Sequence, residues 1–94
     1  MQICVYMVRC SDGSYYVGST RAGLEQRIAQ HNDGLFGGYT STRRPVQLVF
    51  HKEFQRITDA IAAERQIEGW SRAKKEALIR GDFDALPWLA RRRG

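Results

Sequence analysis

Glu64 is the residue of this 94-residue chain whose placement most needs a chemical explanation. Ile57, Ala60, Ile61 and Ile67 recur at helical spacing and predict a buried face over 57–70, with Glu64 in its middle. An ionised carboxylate buried without a partner costs on the order of several kcal/mol, so Glu64 must pair with a cation, bind a metal or take up a proton. An internal ion pair with Arg27 would satisfy it structurally. A role as ligand of one Mg²⁺ or Mn²⁺ would satisfy it functionally, because these hard ions commonly take one or two carboxylates and complete their shell with water and phosphate oxygens. Spacing alone leaves both readings open.

Arg27 and His31 stand one turn apart where Leu24, Ile28 and Leu35 mark an apolar stripe, so they are neighbours expected to point along a sheet edge. The plainer reading has Arg27 reaching water over its apolar stem and His31 partly buried and hydrogen-bonded. Two tyrosines join this set only if they share a face of one hairpin. Residues 2–9 and 14–19 alternate and are rich in Val, Ile and Tyr, with Ser11-Asp12-Gly13 between them. A two-residue turn at Asp12-Gly13 pairs Ser11 with Ser14 and puts Tyr6 and Tyr16 on opposite faces. A three-residue Ser11-Asp12-Gly13 loop pairs Cys10 with Ser14 and brings them to the same face. That register sets Val8 opposite Tyr16 and Tyr6 opposite Gly18, where the missing side chain leaves room over the sheet. Ordinary packing is the commoner use of a strand tyrosine.

The elements that must hold these side chains follow from pattern. A first helix is predicted from Gly23 to about Asn32, closed by Gly34. Gly34 to Pro45, with three glycines, several hydroxyl residues and Arg43-Arg44, reads as a loop. Pro45 then opens a third strand, in which Val46, Leu48 and Phe50 alternate with Gln47, Val49 and His51 and one face is strongly buried. Thr58 or Asp59 is expected to cap a second helix reaching about Trp70, and Ser71 a third that stops near Gly81. Residues 82–89 leave room for one more turn before the basic tail 91–94, which is expected to be mobile. Trp70 and Trp88 read as packing residues rather than base-stacking platforms. The order β-β-α-β-α-α predicts an α+β fold, a small three-stranded antiparallel or mixed sheet flanked by helices, forming one domain over 1–94.

Fifteen Lys and Arg against ten Asp and Glu give a net charge of +5, which favours acidic partners such as nucleic acid. No apolar run approaches the roughly 18–20 residues of a spanning helix, and neither main helix has an all-basic polar face, which argues against a membrane role. The opening MQICVYMVRC lacks a basic leader and a cleavage site, so cytoplasm is the expected compartment. Cys4 and Cys10 are too far apart along one extended strand to bond to each other and are expected as reduced thiols, without zinc spacing around them. Arg21, Arg43, Arg44, Lys74 and Lys75 are candidates to follow a phosphate backbone, with Tyr39 beside them to stack on an unpaired base. Solvated surface charge is the more frequent use of any one of them.

Val5-Tyr6-Met7, followed ten residues on by Tyr16-Val17-Gly18, resembles the paired motifs of the GIY-YIG nuclease superfamily. The likeness is specific because Arg27 and His31 follow on the next helix and Glu64 stands in the helical context Ala60-Ile61-Ala62-Ala63-Glu64. It covers nearly the whole chain and is nearest the small stand-alone bacterial branch, through Tyr39-Thr40, Arg43-Arg44-Pro45 and Ser71-Arg72-Ala73. In register, Cys4 replaces the glycine of GIY and Val17 the isoleucine of YIG. Neither change removes a reactive group. The late asparagine of some members has no convincing match here.

The resemblance implies a metal-dependent endonuclease that hydrolyses phosphodiester bonds in DNA, with RNA as the other polymer to test. Tyr6 would help activate the attacking water, with Tyr16 beside it at the scissile phosphate. Arg27 would stabilise charge developing on the phosphate, His31 would assist proton transfer or orient a tyrosine, and Glu64 would hold one divalent cation, Mg²⁺ or Mn²⁺. Such hydrolysis needs an in-line water, a base and positive charge around the nonbridging oxygens. A protein partner, low specificity or recognition of nucleic-acid structure would replace the targeting modules of larger members. The alternative is a non-catalytic nucleic-acid-binding adaptor with the same fold.

Overall fold

Parity decides the hairpin. In the computed structural model, which describes residues 3–35 and 38–82, β1 (Ile3–Arg9) and β2 (Tyr15–Thr20) pair antiparallel. Tyr6 lies opposite Gly18 and Val8 opposite Tyr16, as the three-residue loop requires. Within the loop the Cys10 N–H donates to the Ser14 carbonyl at 2.8 Å and the Gly13 N–H to the Cys10 carbonyl at 2.9 Å. Gly13 adopts φ +86°, a conformation a side chain would strain. Asp12 accepts from both the hydroxyl and the N–H of Ser14, and these bonds hold its carboxyl below the usual range.

β3 (Gln47–Phe54) pairs antiparallel with the other side of β1, giving the order β2-β1-β3 and an entirely antiparallel sheet. The expected simple alternation along β3 does not hold. Val8 faces Leu48 but Met7 faces Phe50, so Val49 is an extra residue, a bulge that switches the side-chain faces. Leu48 therefore packs with Tyr6, Val8, Cys10 and Val46, whereas Phe50 and Phe54 pack on the opposite side with Ile3, Val5 and Met7. The buried side chains of β3 are thus divided between both faces.

The two clusters place the helices. α1 (Leu24–Asn32) contributes Leu24 and Ile28 to the Tyr6 face. α2 (Ile57–Glu68) and α3 (Arg72–Arg80) contribute Ala60, Ile67, Ala77 and Leu78 to the Val5 and Met7 face, where Trp70 also packs. Leu35 does not continue the α1 stripe. The helix ends at Asn32, Gly34 turns the chain at φ +75°, and Leu35 is 67% exposed.

At the other end of the chain, α2 starts earlier than expected. Arg56 occupies its N-cap position without a side-chain bond, so Thr58 and Asp59 fall inside the first turn, where Asp59 suits the positive helix end. α3 follows expectation, with the Ser71 hydroxyl accepting from the Lys74 N–H at 3.3 Å and Gly81 closing it at φ +78°.

Asn32 joins α1 to β3. Its Oδ1 accepts from the Val46 N–H at 2.7 Å and its Nδ2 donates to the Val46 carbonyl at 3.2 Å. The stretch expected as plain loop holds one short 3₁₀ turn, Tyr39–Thr42. The expectations for a further turn beyond Asp82, for Trp88 and for the tail at 91–94 lie outside the described residues.

Candidate active site

A cavity of about 240 Å³ is lined by Tyr6, Tyr16, Arg27, His31 and Glu64, the five side chains singled out in the sequence. β1 supplies Tyr6, β2 Tyr16, α1 Arg27 and His31, and α2 Glu64. Gly18 and Ser19 complete the strand side, and Tyr39 and Thr40 enter from the 3₁₀ turn. Successive residues of a strand point to opposite faces. A cavity lined by both Gly18 and Ser19 therefore wraps around the free edge of β2, where α1 on one face and α2 on the other can both reach it.

Tyr6 Oη lies 2.8 Å from His31 Nε2, and His31 Nδ1 lies 2.9 Å from Thr40 Oγ1. Tyr6, His31 and Thr40 are all buried, at 2%, 3% and 1% exposure. Burial, and then the neighbouring Tyr16, push the Tyr6 hydroxyl up to about 12 against a smaller lowering by Arg27. Burial and then the Arg27 charge hold His31 below its ordinary value, so the imidazole is neutral at physiological pH. The Tyr16 hydroxyl is also raised, by burial first and then by the Glu64 and Glu68 carboxylates.

Tyr16 packs edge-on to His31 with ring centroids 5.4 Å apart and is stacked with Tyr39 at 6.2 Å. The Arg43 guanidinium covers the Tyr39 ring at 3.9 Å, while its Nε donates to Asp12 at 3.0 Å and its Nη1 to the Tyr39 carbonyl at 2.8 Å. Arg44 donates to the Asn32 and Ser41 carbonyls. Both arginines thus tie the 3₁₀ turn in place, and the Tyr39 ring is engaged by Tyr16 and Arg43. Lys75 lines an adjoining cavity with Tyr15, Tyr16, Val17, Tyr39 and Glu68, whereas Arg21 and Lys74 are exposed.

Glu64 differs from expectation in its setting. It is half-buried rather than enclosed, because α2 turns Ala60 and Ile67 to the sheet and leaves Ile57 and Ile61 at 42% and 40% exposure. Its carboxylate makes no ion pair among the described residues. Among the described residues no group of three or more His, Cys, Asp or Glu side chains is placed to hold a metal ion. One carboxylate in a cavity also lined by Tyr6, Tyr16 and Ser19 nonetheless fits a hard divalent cation, which takes its remaining ligands from water and phosphate oxygens.

Thr40 was not legible as part of this site. It sits in a Gly-rich stretch without apolar periodicity, and the only pointer was its place in the Tyr39-Thr40 run of the family resemblance.

Comparison with known proteins agrees with the geometry. The GIY-YIG catalytic domain family matches residues 2–77, which include every residue lining the cavity. A UPF0213 protein of Staphylococcus saprophyticus is 44% identical over 75 residues, covering 80% of this chain and 90% of its own. UPF0213 protein YazA of Bacillus subtilis is 42% identical over 74 residues, covering 79% and 74%. The solution NMR structure of a UPF0213 protein of Bacillus halodurans superposes with a TM-score of 0.56 at 34% identity, over 95% of this chain and 92% of that one. The shared fold, the match along most of the chain and the small bacterial relatives lead to one conclusion: this chain belongs to the GIY-YIG catalytic domain family, a family of nucleases.

Proposed function

We propose that the protein is a divalent-metal-dependent endonuclease that hydrolyses phosphodiester bonds in DNA. The observation that carries this reading is the convergence of Tyr6, Tyr16, Arg27, His31 and Glu64, from four separate elements, on one cavity. Each residue has a task there. Arg27 places a fixed positive charge where negative charge grows on the nonbridging oxygens, inside a partly desolvated pocket that strengthens the interaction. Tyr6 and Tyr16 present hydroxyls to the phosphate and the attacking water. His31, neutral and bonded to Tyr6, is able to take a proton. Glu64 is the residue to hold Mg²⁺ or Mn²⁺, which when bound supplies further charge neutralisation at the phosphate.

Binding outside the cavity rests on the basic rim. Lys75 of α3 and Tyr39 line the cavity adjoining the site and Arg43 covers the Tyr39 ring, and with Lys74 and Arg44 they are the side chains assigned to a polyanion. Because Arg43 and Arg44 also hold the loop, their substitution should affect structure as well as affinity.

The test is cleavage of a panel of single-stranded, duplex, flapped and branched DNA, with RNA counterparts, in Mg²⁺, in Mn²⁺ and in excess chelator. Product that forms with metal and disappears with chelator supports the nuclease and ranks its substrates. Salt-sensitive binding without product under any condition would instead support the adaptor.

A further inference from the structure

Thr40 has no task in the reaction as described so far, yet it is one of the most completely buried polar residues of the chain, at 1% exposure. Its hydroxyl is aimed at the ring nitrogen of His31 that Tyr6 does not use. The three groups form one chain of contacts, Tyr6 Oη to His31 Nε2 at 2.8 Å and His31 Nδ1 to Thr40 Oγ1 at 2.9 Å.

We propose that Thr40 is a positioning residue that fixes His31 in the tautomer with its hydrogen on Nδ1, leaving Nε2 to accept the hydroxyl proton of Tyr6. The inference deepens the nuclease reading and rests on it for its catalytic consequence, but the tautomer itself is independent of any activity.

The argument is one of hydrogen counting. Tyr6 is a phenol at neutral pH, and its buried hydroxyl has His31 Nε2 at bonding distance. The phenol oxygen can donate or accept, and for Tyr6 to pass its proton inward it must donate, with Nε2 offering its lone pair. A neutral imidazole carries one N–H, which must then be on Nδ1, and the Thr40 oxygen is the acceptor placed to receive it. The opposite tautomer would set the hydrogens of Nε2 and Tyr6 against each other unless the Tyr6 hydroxyl turned away from its buried partner.

The consequence is a path for the proton of the attacking water. As the water oxygen bonds to phosphorus and the bond to the leaving alkoxide breaks, the water proton passes to Tyr6 Oη while the Tyr6 proton passes to His31 Nε2. Tyr6 need not become a free phenolate, which its high pKa disfavours. The proton ends on His31 and leaves to the alkoxide or to solvent, so the step needs no other reagent. Among the described residues, the groups that share the cavity with this imidazole include Tyr6 of β1, Tyr16 of β2, Arg27 of α1, Thr40 of the 3₁₀ turn and Glu64 of α2. Arg27 opposes a second positive charge there, and the Thr40 oxygen favours it by accepting more strongly from a cationic ring.

Two measurements on the full chain test the proposal. Long-range ¹H–¹⁵N correlation spectra of histidine-labelled protein should show neutral His31 with Nδ1 protonated and Nε2 bare. A ring protonated on Nε2 would overturn the inference whether or not the protein cleaves anything. Thr40→Val keeps the shape and removes the acceptor, and should lower kcat by on the order of tenfold or more with KM little changed, while the His31 signals shift toward mixed tautomers. Thr40→Ser should restore both. Unchanged kcat and tautomer in Thr40→Val would overturn the proposal, and if that variant does not fold, the wild-type tautomer and the Thr40→Ser result still decide it.

Discussion

Gly18 and Tyr6 occupy the same space from two strands. A Cβ built on Gly18 would lie 2.7 Å from Tyr6 Oη and 2.9 Å from its Cζ, so the phenol reaches His31 only because residue 18 has no side chain. The hairpin register makes these two residues partners, and the glycine gives up strand-forming propensity for access across the sheet.

Gly18→Ala should therefore displace the Tyr6 ring. The expected cost is about 1–3 kcal/mol of stability from overpacking, with a loss of cleavage larger than that destabilisation explains at temperatures where the variant is folded. Denaturant midpoints and cleavage rates on the same samples measure both. Wild-type rates in a folded Gly18→Ala variant would show that the Tyr6 position is not critical.

Two buried groups of the site contribute to the pH dependence of stability at opposite ends. Burial and the Arg27 charge hold His31 below its ordinary value of 6.5, so the unfolded chain takes up a proton before the folded one does. Stability from this group is full above about pH 6.5 and falls as pH drops from there toward the folded value. Tyr6 acts at the other end. Its rise from 10.0 to about 12, from burial first, means the unfolded chain loses a proton first, and stability falls as pH climbs through that interval. Burial also raises the Cys4 and Cys10 thiols and Tyr16, so the alkaline loss is shared with them, whereas His31→Gln should flatten the slope of unfolding midpoints below about pH 6.5. An unchanged acid slope in that variant would contradict the assignment.

Asn32 offers a stability test away from the chemistry. Its amide satisfies both backbone groups of the buried Val46, so Asn32→Ala leaves a donor and an acceptor unpaired at the start of β3. A loss of about 1–3 kcal/mol is expected. Equal midpoints for wild type and Asn32→Ala would show that water replaces the clasp.

Much of the site was legible because it obeys two periods. The parity of the hairpin fixed Tyr6 against Gly18, and the one-turn spacing of Arg27 and His31 put both on one helix face. Those rules fail where several side chains satisfy them equally well. Leu48, Val49 and Phe50 are all apolar, so alternation cannot reveal which one is the bulge that divides β3 between two faces. Along α2 the small residues Ala60, Ala62 and Ala63 leave the direction of the apolar stripe ambiguous, and the sheet approaches Ala60 closely while Ile57 and Ile61 stay exposed. Thr40 followed no period at all. Its role comes from a long-range contact with His31, made by a turn whose position depends on Arg43 reaching Asp12 across the molecule.

The most direct test of the central claim is metal-dependent cleavage by wild type and Glu64→Ala under single-turnover conditions, with DNA binding measured on the same samples. Glu64 is half-buried and makes no ion pair among the described residues, so its removal should leave the fold and salt-sensitive binding largely intact. The account predicts product from wild type in Mg²⁺ or Mn²⁺ and a loss of at least about a hundredfold in the variant. Cleavage by Glu64→Ala at the wild-type rate would contradict it.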